Sequence, residues 1–207
     1  MNFNSSEIKN YIKKRENPII IDKELKFIYF PVNKVMQTTL NRRLLKGRTI
    51  TFKDNPKLWR EYFEKIDFNN IFKFGITRHP VDRFESTFNY LSRIKKIADK
   101  TKISSYDINN YVKSYFANFD NPFKINNHFE KQYKGFFYKD KPLVDIFFKI
   151  ENSDDLNKLY KKLNINYNYE KVNVTKHKYK LNNESIKIIE NIYINDLIPL
   201  NYSSVCK

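Results

Sequence analysis

A chain of 207 residues suffices for one domain with a sizeable core. Its 3 glycines exclude a glycine-rich nucleotide loop, and its single cysteine, Cys206, excludes an internal disulfide and a cysteine metal cluster. The formal net charge of +16 favours an anionic partner, whether nucleic acid, a phosphorylated cofactor, an acidic polysaccharide or a membrane surface. Part of that excess has a duller origin, because a chain heavy in Lys, Asn, Ile, Tyr and Phe is what an AT-rich genome encodes.

Residues 1–18 are polar with weak periodicity and predict a short helix or arm. Ile19 to Ile21 predict an edge strand and Phe27 to Phe30 a buried one. Pro31 then opens a turn that contains Lys34, and a helix is expected from Thr38 or Thr39, stopped by Gly47 in a left-handed cap. Residues 54–67 predict a second helix, with Pro56 near its start. The next strand, 71–77, runs straight into Arg78, His79 and a helix opened by Pro80. Val81, Phe84, Phe88, Leu91 and Ile94 give that helix an apolar stripe suited to packing on a sheet. Ser86 lies roughly opposite the stripe and shares its face with Arg83, for which a structural pairing with Glu85 or Glu151 is expected. A helix is expected over 107–119, loop or a turn of helix over 126–133, and a strand over 143–150. Glu151 follows that strand and is expected to be a buried carboxylate. Ser153 predicts the N-cap of the helix after it, and 183–197 predict the last helix. Strands alternating with helices, without a repeat or a dividing linker, predict a single α/β domain over 1–207 with a largely parallel sheet.

In such sheets ligands bind where strands run into helices. Two such turns carry unusual chemistry here: Lys34 to Thr39, and Arg78 to Ser86. A helix start with a lysine and two hydroxyls suits an anion. Neither turn has the Walker or the dinucleotide pattern, so a ligand with two separated phosphate groups is expected. The three histidines (His79, His128, His177) lack metal-site spacing, no run approaches the ~18 apolar residues of a membrane span, and no signal-peptide core is present. A soluble, cytoplasmic chain is the expectation.

The residues also resemble a family. Pro31 to Thr39 resembles the 5′-phosphosulfate loop of the Golgi-type carbohydrate sulfotransferases, Pro-x-x-Lys-Val/Ala-Gly-x-Thr-Ser. Arg78, Pro80, Arg83 and Ser86 resemble their 3′-phosphate segment, Arg-x-Pro-x-x-Arg-x-x-Ser. His128 and Gln132 are similar to their His-x-x-x-Gln motif, Val144, Asp145 and Lys149 to Glu151 to their Val-Asp…Lys-Ile-Glu strand, and Tyr193 and Asp196 to their closing Tyr-x-x-Asp. These matches run in the family's order over about residues 26–202. Met36 departs from it, standing where the family has glycine, and Gln37 replaces a small residue.

The resemblance implies a P-loop-NTPase-like three-layer α/β fold with a mainly parallel central sheet flanked by helices. It also implies the donor 3′-phosphoadenosine 5′-phosphosulfate (PAPS), with 3′-phosphoadenosine 5′-phosphate (PAP) as product and no metal. Lys34 then contacts the phosphosulfate and stabilises the leaving oxygen. Val35, Met36, Gln37, Thr38 and Thr39 line the 5′-phosphate, and Arg78 and Ser86 hold the 3′-phosphate. Histidine titrates near neutrality and is the natural base; His128 is the first candidate, His79 the second and His177 the third. The implied acceptor is a hydroxyl of an acidic or neutral glycan, and nucleic acid is not an expected partner. Three alternatives stay open: a P-loop-like kinase, a basic nucleic-acid-binding protein, and an inactive sulfotransferase-like protein, the last motivated by Met36.

Overall fold

The computed structural model describes residues 4–15, 19–36, 39–94, 100–103, 106–166 and 180–205, with the side chains of 41–43 outside the description. Gln37, Thr38, His177 and Cys206 therefore lie outside the described residues. The chain forms two compact units, Met1–Thr77 with Gly135–Tyr169, and Arg78–Lys134 with Glu170–Lys207.

The first unit is α/β. Helix α1 (Ser5–Lys13) is capped by Asn4 and buries Ile8 and Ile12. Strands β1 (Ile20–Asp22), β2 (Phe27–Phe30), β3 (Thr49–Ile50), β4 (Phe72–Thr77) and β7 (Ile146–Lys149) form one sheet in the order β3-β1-β2-β4-β7. Strands β2, β4 and β7 are parallel, whereas β1 pairs antiparallel with both β2 and β3. The sheet is thus mixed, not parallel throughout. The turn between β1 and β2 is too short for the crossover that a parallel pair requires. All four residues of β2 are buried, as its unbroken apolar run predicts for a strand covered on both faces. Phe74 of β4 is the aromatic centre, 5.1 Å from the ring of Tyr29 and 6.1 Å from that of Phe148. Helix α2 (Pro56–Lys65) has Pro56 in its first turn, and its Trp59 donates to the Ile19 carbonyl at 2.8 Å.

A small hairpin, β5 (Phe137–Tyr138) with β6 (Lys141–Pro142), precedes β7. Strand β7 is shorter than the 143–150 expected and is an edge strand with Ile146 exposed, although Asp145 and Ile150 still donate to the Lys73 and Thr77 carbonyls. Glu151 is exposed, against expectation. The next helix (Ser153–Lys162) is capped by Asn152 instead of Ser153, because the Asn152 Oδ1 accepts from both Asp154 and Asp155 N–H groups.

The second unit is helical among its described residues. Helix α3 (Pro80–Leu91) packs Val81, Phe84, Phe88 and Leu91 of its predicted stripe with residues of α4 (Ile108–Tyr111) and of α7 (Asn183–Ile192), and with Phe116 and Phe129, whereas Ile94 lies beyond the end of the helix. The expected helix over 107–119 keeps α geometry for one turn and then widens into a π turn, Val112–Phe116, in which Ala117 N–H donates to the Val112 carbonyl. The expected last helix breaks at Tyr193 into α7 and α8 (Ile194–Leu197). A further short helix, α5 (Tyr133–Phe136), returns the chain to the first unit, and Ser153–Lys162 is α6 in this numbering.

Gly75 of β4 is closely approached by a buried ring of the first unit. A Cβ there would stand 2.5 Å from Cε1 of Phe136, whose fully buried ring lies 5.2 Å from that of Phe147. Gly75→Ala is therefore expected to cost about 1–3 kcal/mol by overpacking. Urea denaturation should show a lowered midpoint with unchanged slope; an unchanged midpoint contradicts this packing.

Candidate functional site

The first turn lies in the first unit, beyond the carboxyl end of β2. Val32 and Val35 are buried, Val35 N–H donates to the Val32 carbonyl at 3.3 Å, and the buried Tyr29 hydroxyl donates to the Val35 carbonyl at 3.3 Å. Val35 thus anchors the turn from inside. On either side of it the backbone is left-handed, with φ of 65° at Lys34 and 49° at Met36. Met36 adopts the conformation that glycine favours, so the departure from the family's glycine has not removed the need for it. A side chain there costs roughly 1–2 kcal/mol. Lys34 and Thr39 are half-buried.

The expected α-helix after this turn is a single π turn, Thr39–Leu44, closed by Leu45 N–H on the Leu40 carbonyl. Gly47 follows in the left-handed region as expected, with φ of 79°. One wide turn has little of the dipole of a long α-helix, so the anion preference expected of a helix start loses much of its basis here.

The second turn, Arg78 to Pro80, belongs to the second unit. Gln132 grips its backbone at two points: Arg78 N–H donates to Gln132 Oε1 at 2.9 Å, and Gln132 Nε2 donates to the Arg78 carbonyl at 2.7 Å. His79 is the N-cap of α3; its Nδ1 accepts from Val81 N–H at 3.3 Å, so Nε2 carries the proton and donates to the Ser203 carbonyl at 3.1 Å. With both nitrogens engaged, His79 is spent on structure. Arg78 is half-buried, and no hydrogen bond or ion pair engages its guanidinium among the described residues. Ser86, also half-buried, likewise has no side-chain partner among them.

Arg83 does not share the open face of Ser86. Only 1% exposed, it reaches inward, where Nη1 donates to the His128 carbonyl at 3.0 Å and Nη2 to the Glu130 carbonyl at 2.5 Å. Its carboxylate partner is Asp196, 3.9 Å away, not Glu85 or Glu151. Asp196 is fully buried and accepts from Gln132 N–H at 2.9 Å and Tyr133 N–H at 2.8 Å. Burial pushes its carboxyl above the usual range, while Arg83 and these two N–H groups pull the other way. Tyr193, whose phenol burial pushes up, donates its hydroxyl to the Phe129 carbonyl. The carbonyls of 128, 129 and 130 and the N–H groups of 132 and 133 are thus all held by side chains. The matches at His128, Gln132, Tyr193 and Asp196 belong to one network, a role that their spacing alone did not disclose.

His128 is half-buried on a 3-10 turn, Asn127–Phe129. Its Nδ1 lies 2.7 Å from Asn126 Oδ1, and its ring centre 5.2 Å from that of Tyr90. Thr87 Oγ1 donates to its carbonyl at 3.3 Å. Asn126 gave no signal in the sequence beyond being a loop asparagine. The structure accordingly places Lys34, Val35, Met36 and Thr39 in the first unit, and Arg78, Ser86 and His128 in the second. Among the described residues no group of three or more His, Cys, Asp or Glu side chains could hold a metal ion, and no helix is long and apolar enough to cross a membrane. Comparison of the chain with protein-family models, curated proteins and solved structures gives no match.

Two consequences are measurable. Met36→Gly relieves the left-handed strain but adds freedom to the unfolded chain, so a net gain of up to about 1 kcal/mol in unfolding free energy is expected. A loss of stability contradicts the assigned backbone. Asp196→Ala strands the buried Arg83 charge and two backbone donors, and is expected to cost about 3–5 kcal/mol by denaturant titration. A cost under about 1 kcal/mol contradicts the network.

Proposed function

We propose that the chain is a PAPS-dependent sulfotransferase with a P-loop-like three-layer fold, acting on a hydroxyl of a carbohydrate. The observation that carries the reading is Arg78: a half-buried guanidinium without a protein partner among the described residues, on a backbone fixed at both its N–H and its carbonyl by Gln132. A pre-positioned planar cation of that kind suits a phosphate by bidentate contact, and Ser86 adds a hydroxyl donor on the helix that follows. The ordered matches from Pro31 to Asp196 supply the identity of the ligand, with Arg78 and Ser86 assigned to the 3′-phosphate and Lys34, Val35, Met36, Gln37, Thr38 and Thr39 to the 5′-phosphosulfate.

The reaction is an in-line displacement. The acceptor oxygen attacks sulfur, the bond from sulfur to the 5′-phosphate oxygen breaks, and PAP leaves with that electron pair. Lys34 stabilises the charge that grows on the leaving oxygen, and Nε2 of His128 takes the hydroxyl proton. Positioning and charge stabilisation carry such a transfer, much as in phosphoryl transfer. The charge of +16 favours an acidic glycan as acceptor. The left-handed Met36 supports a second reading, a relative that binds the nucleotide without turning it over.

Thermal unfolding with PAP, ATP or duplex DNA separates the classes. PAP at ~100 times its dissociation constant is expected to add about 2.7 kcal/mol of stability, and neither ATP nor DNA should match it. Arg78→Ala and Ser86→Ala should each weaken the PAP shift. No shift with PAP, a larger one with ATP, or a PAP shift undiminished in both variants overturns the assignment.

A further inference from the structure

We propose that a cavity at the amino end of the first unit's sheet is a second anion site, which takes the sulfate or carboxylate of an acidic sugar unit. The anion site stands on the geometry of the cavity; that the anion belongs to a glycan rests on the sulfotransferase reading.

The cavity has a volume of about 550 Å³, within the roughly 300–1,000 Å³ of small-molecule sites. Phe27 and Phe72, the first paired residues of β2 and β4, line it, whereas the turn of Lys34 lies beyond the opposite end of β2. Lys26, Arg48 and Lys162 also line it, all within the first unit. The fully buried Asp22 holds two of these cations in place. Its Oδ2 accepts from Lys26 N–H at 3.0 Å, and its Oδ1 from Arg48 Nε at 2.9 Å. Arg48 Nη1 donates to the Leu163 carbonyl at 2.5 Å, and Nη2 has no acceptor among the described residues.

Three cations here meet two carboxylates. Glu24, the one carboxylate among the described lining residues, pairs with Lys26 at 2.5 Å, and Asp22 pairs with Arg48. The charge left over is that of Lys162. Its exposed ammonium lies 4.3 Å from the centre of the Phe72 ring, and no carboxylate pairs with it among the described residues. A cation seated on a ring keeps its charge and gains a fixed place.

The same contacts argue against a nucleotide. A base stacks on a free ring face. The Phe72 ring already has the Lys162 ammonium over it and Phe74 stacked with it at 5.6 Å, and the Arg48 guanidinium lies over Phe27 at 5.0 Å. Cationic N–H donors beside apolar rings suit an oxygen-rich anion that carries no aromatic ring. The volume far exceeds that of a sulfate ion and leaves room for the sugar that bears it.

Backbone amide spectra of the nitrogen-labelled full chain, with and without PAP, are titrated with a sulfated, uronate-containing tetrasaccharide, with neutral cellotetraose and with inorganic sulfate. The acidic tetrasaccharide is expected to shift the amides of 24–27, 48, 72 and 162–164 saturably, and the other two only at far higher concentration. Lys162→Glu should weaken that binding about tenfold, and Lys162→Arg should keep it. Lys57→Glu, at an exposed lysine of α2 outside the cavity, makes the same change of charge and should weaken it at most about twofold. The unbound spectrum of each variant shows whether it folds, and Lys162→Gln replaces a charge reversal that does not. No saturable shift at these amides, equal losses in Lys57→Glu and Lys162→Glu, or sulfate bound as tightly as the tetrasaccharide overturns the proposal. Saturable binding here by a chain that fails to bind PAP keeps the anion site and overturns the sulfotransferase reading; PAP binding without it does the reverse.

Discussion

Five residues of one stretch, 128, 129, 130, 132 and 133, give up backbone hydrogen-bonding groups to side chains, and Asp196 is the side chain on which the arrangement turns. Its carboxylate is fully buried, which is unfavourable unless a cation and good donors surround it. Arg83 supplies the charge, the N–H groups of Gln132 and Tyr133 supply the donors, and Arg83 in turn holds the carbonyls of His128 and Glu130. The same loop presents the Gln132 amide to Arg78 and His128 to its surroundings. A stretch whose regular structure is one 3-10 turn and the start of a short helix is thereby given fixed geometry, which a site built on it requires.

In the first unit the corresponding constraint is the buried Val35, pinned between two left-handed residues at the exit of β2. The strand before it is parallel to β4, with its last residue Phe30 facing Gly75, and β4 runs on to Thr77. Ligand sites in open α/β sheets form beyond the carboxyl ends of such strands. The strain at Met36 is tolerable because Val35 and the Tyr29 hydroxyl over-determine the turn, and strain kept in that way gathers at functional sites.

Much of the fold was legible because its signals are local. The apolar run of Phe27 to Phe30, the strand ending at Thr77 and the proline at the start of α3 each announce an element within a few residues. What was not legible depends on partners far away in the chain or on small differences of geometry. The two residues of β3 become a strand through pairing with Ile21 and Asp22. Apolar spacing does not separate a π turn from an α turn, so Thr39–Leu44 and Val112–Phe116 read as ordinary helix. Arg83 looked like a surface residue because its partner, Asp196, lies on the last short helix. Of the site, Lys34, Arg78, Ser86 and His128 were visible as residue types at telling places. Asn126 was not, since an asparagine in a polar loop differs from its neighbours only through the contact it makes.

The function proposed for the chain is the transfer of a sulfuryl group from PAPS to a sugar hydroxyl. The most direct measurement incubates the purified full chain with PAPS carrying radiolabelled sulfate and a panel of neutral and acidic polysaccharides, then counts label in the polymer. The account predicts label in at least one polysaccharide, with transfer reduced about 10²–10³-fold in Lys34→Ala, as expected when a group that stabilises transition-state charge is removed. Absence of label from every polysaccharide, or equal labelling by the wild type and Lys34→Ala, would contradict it.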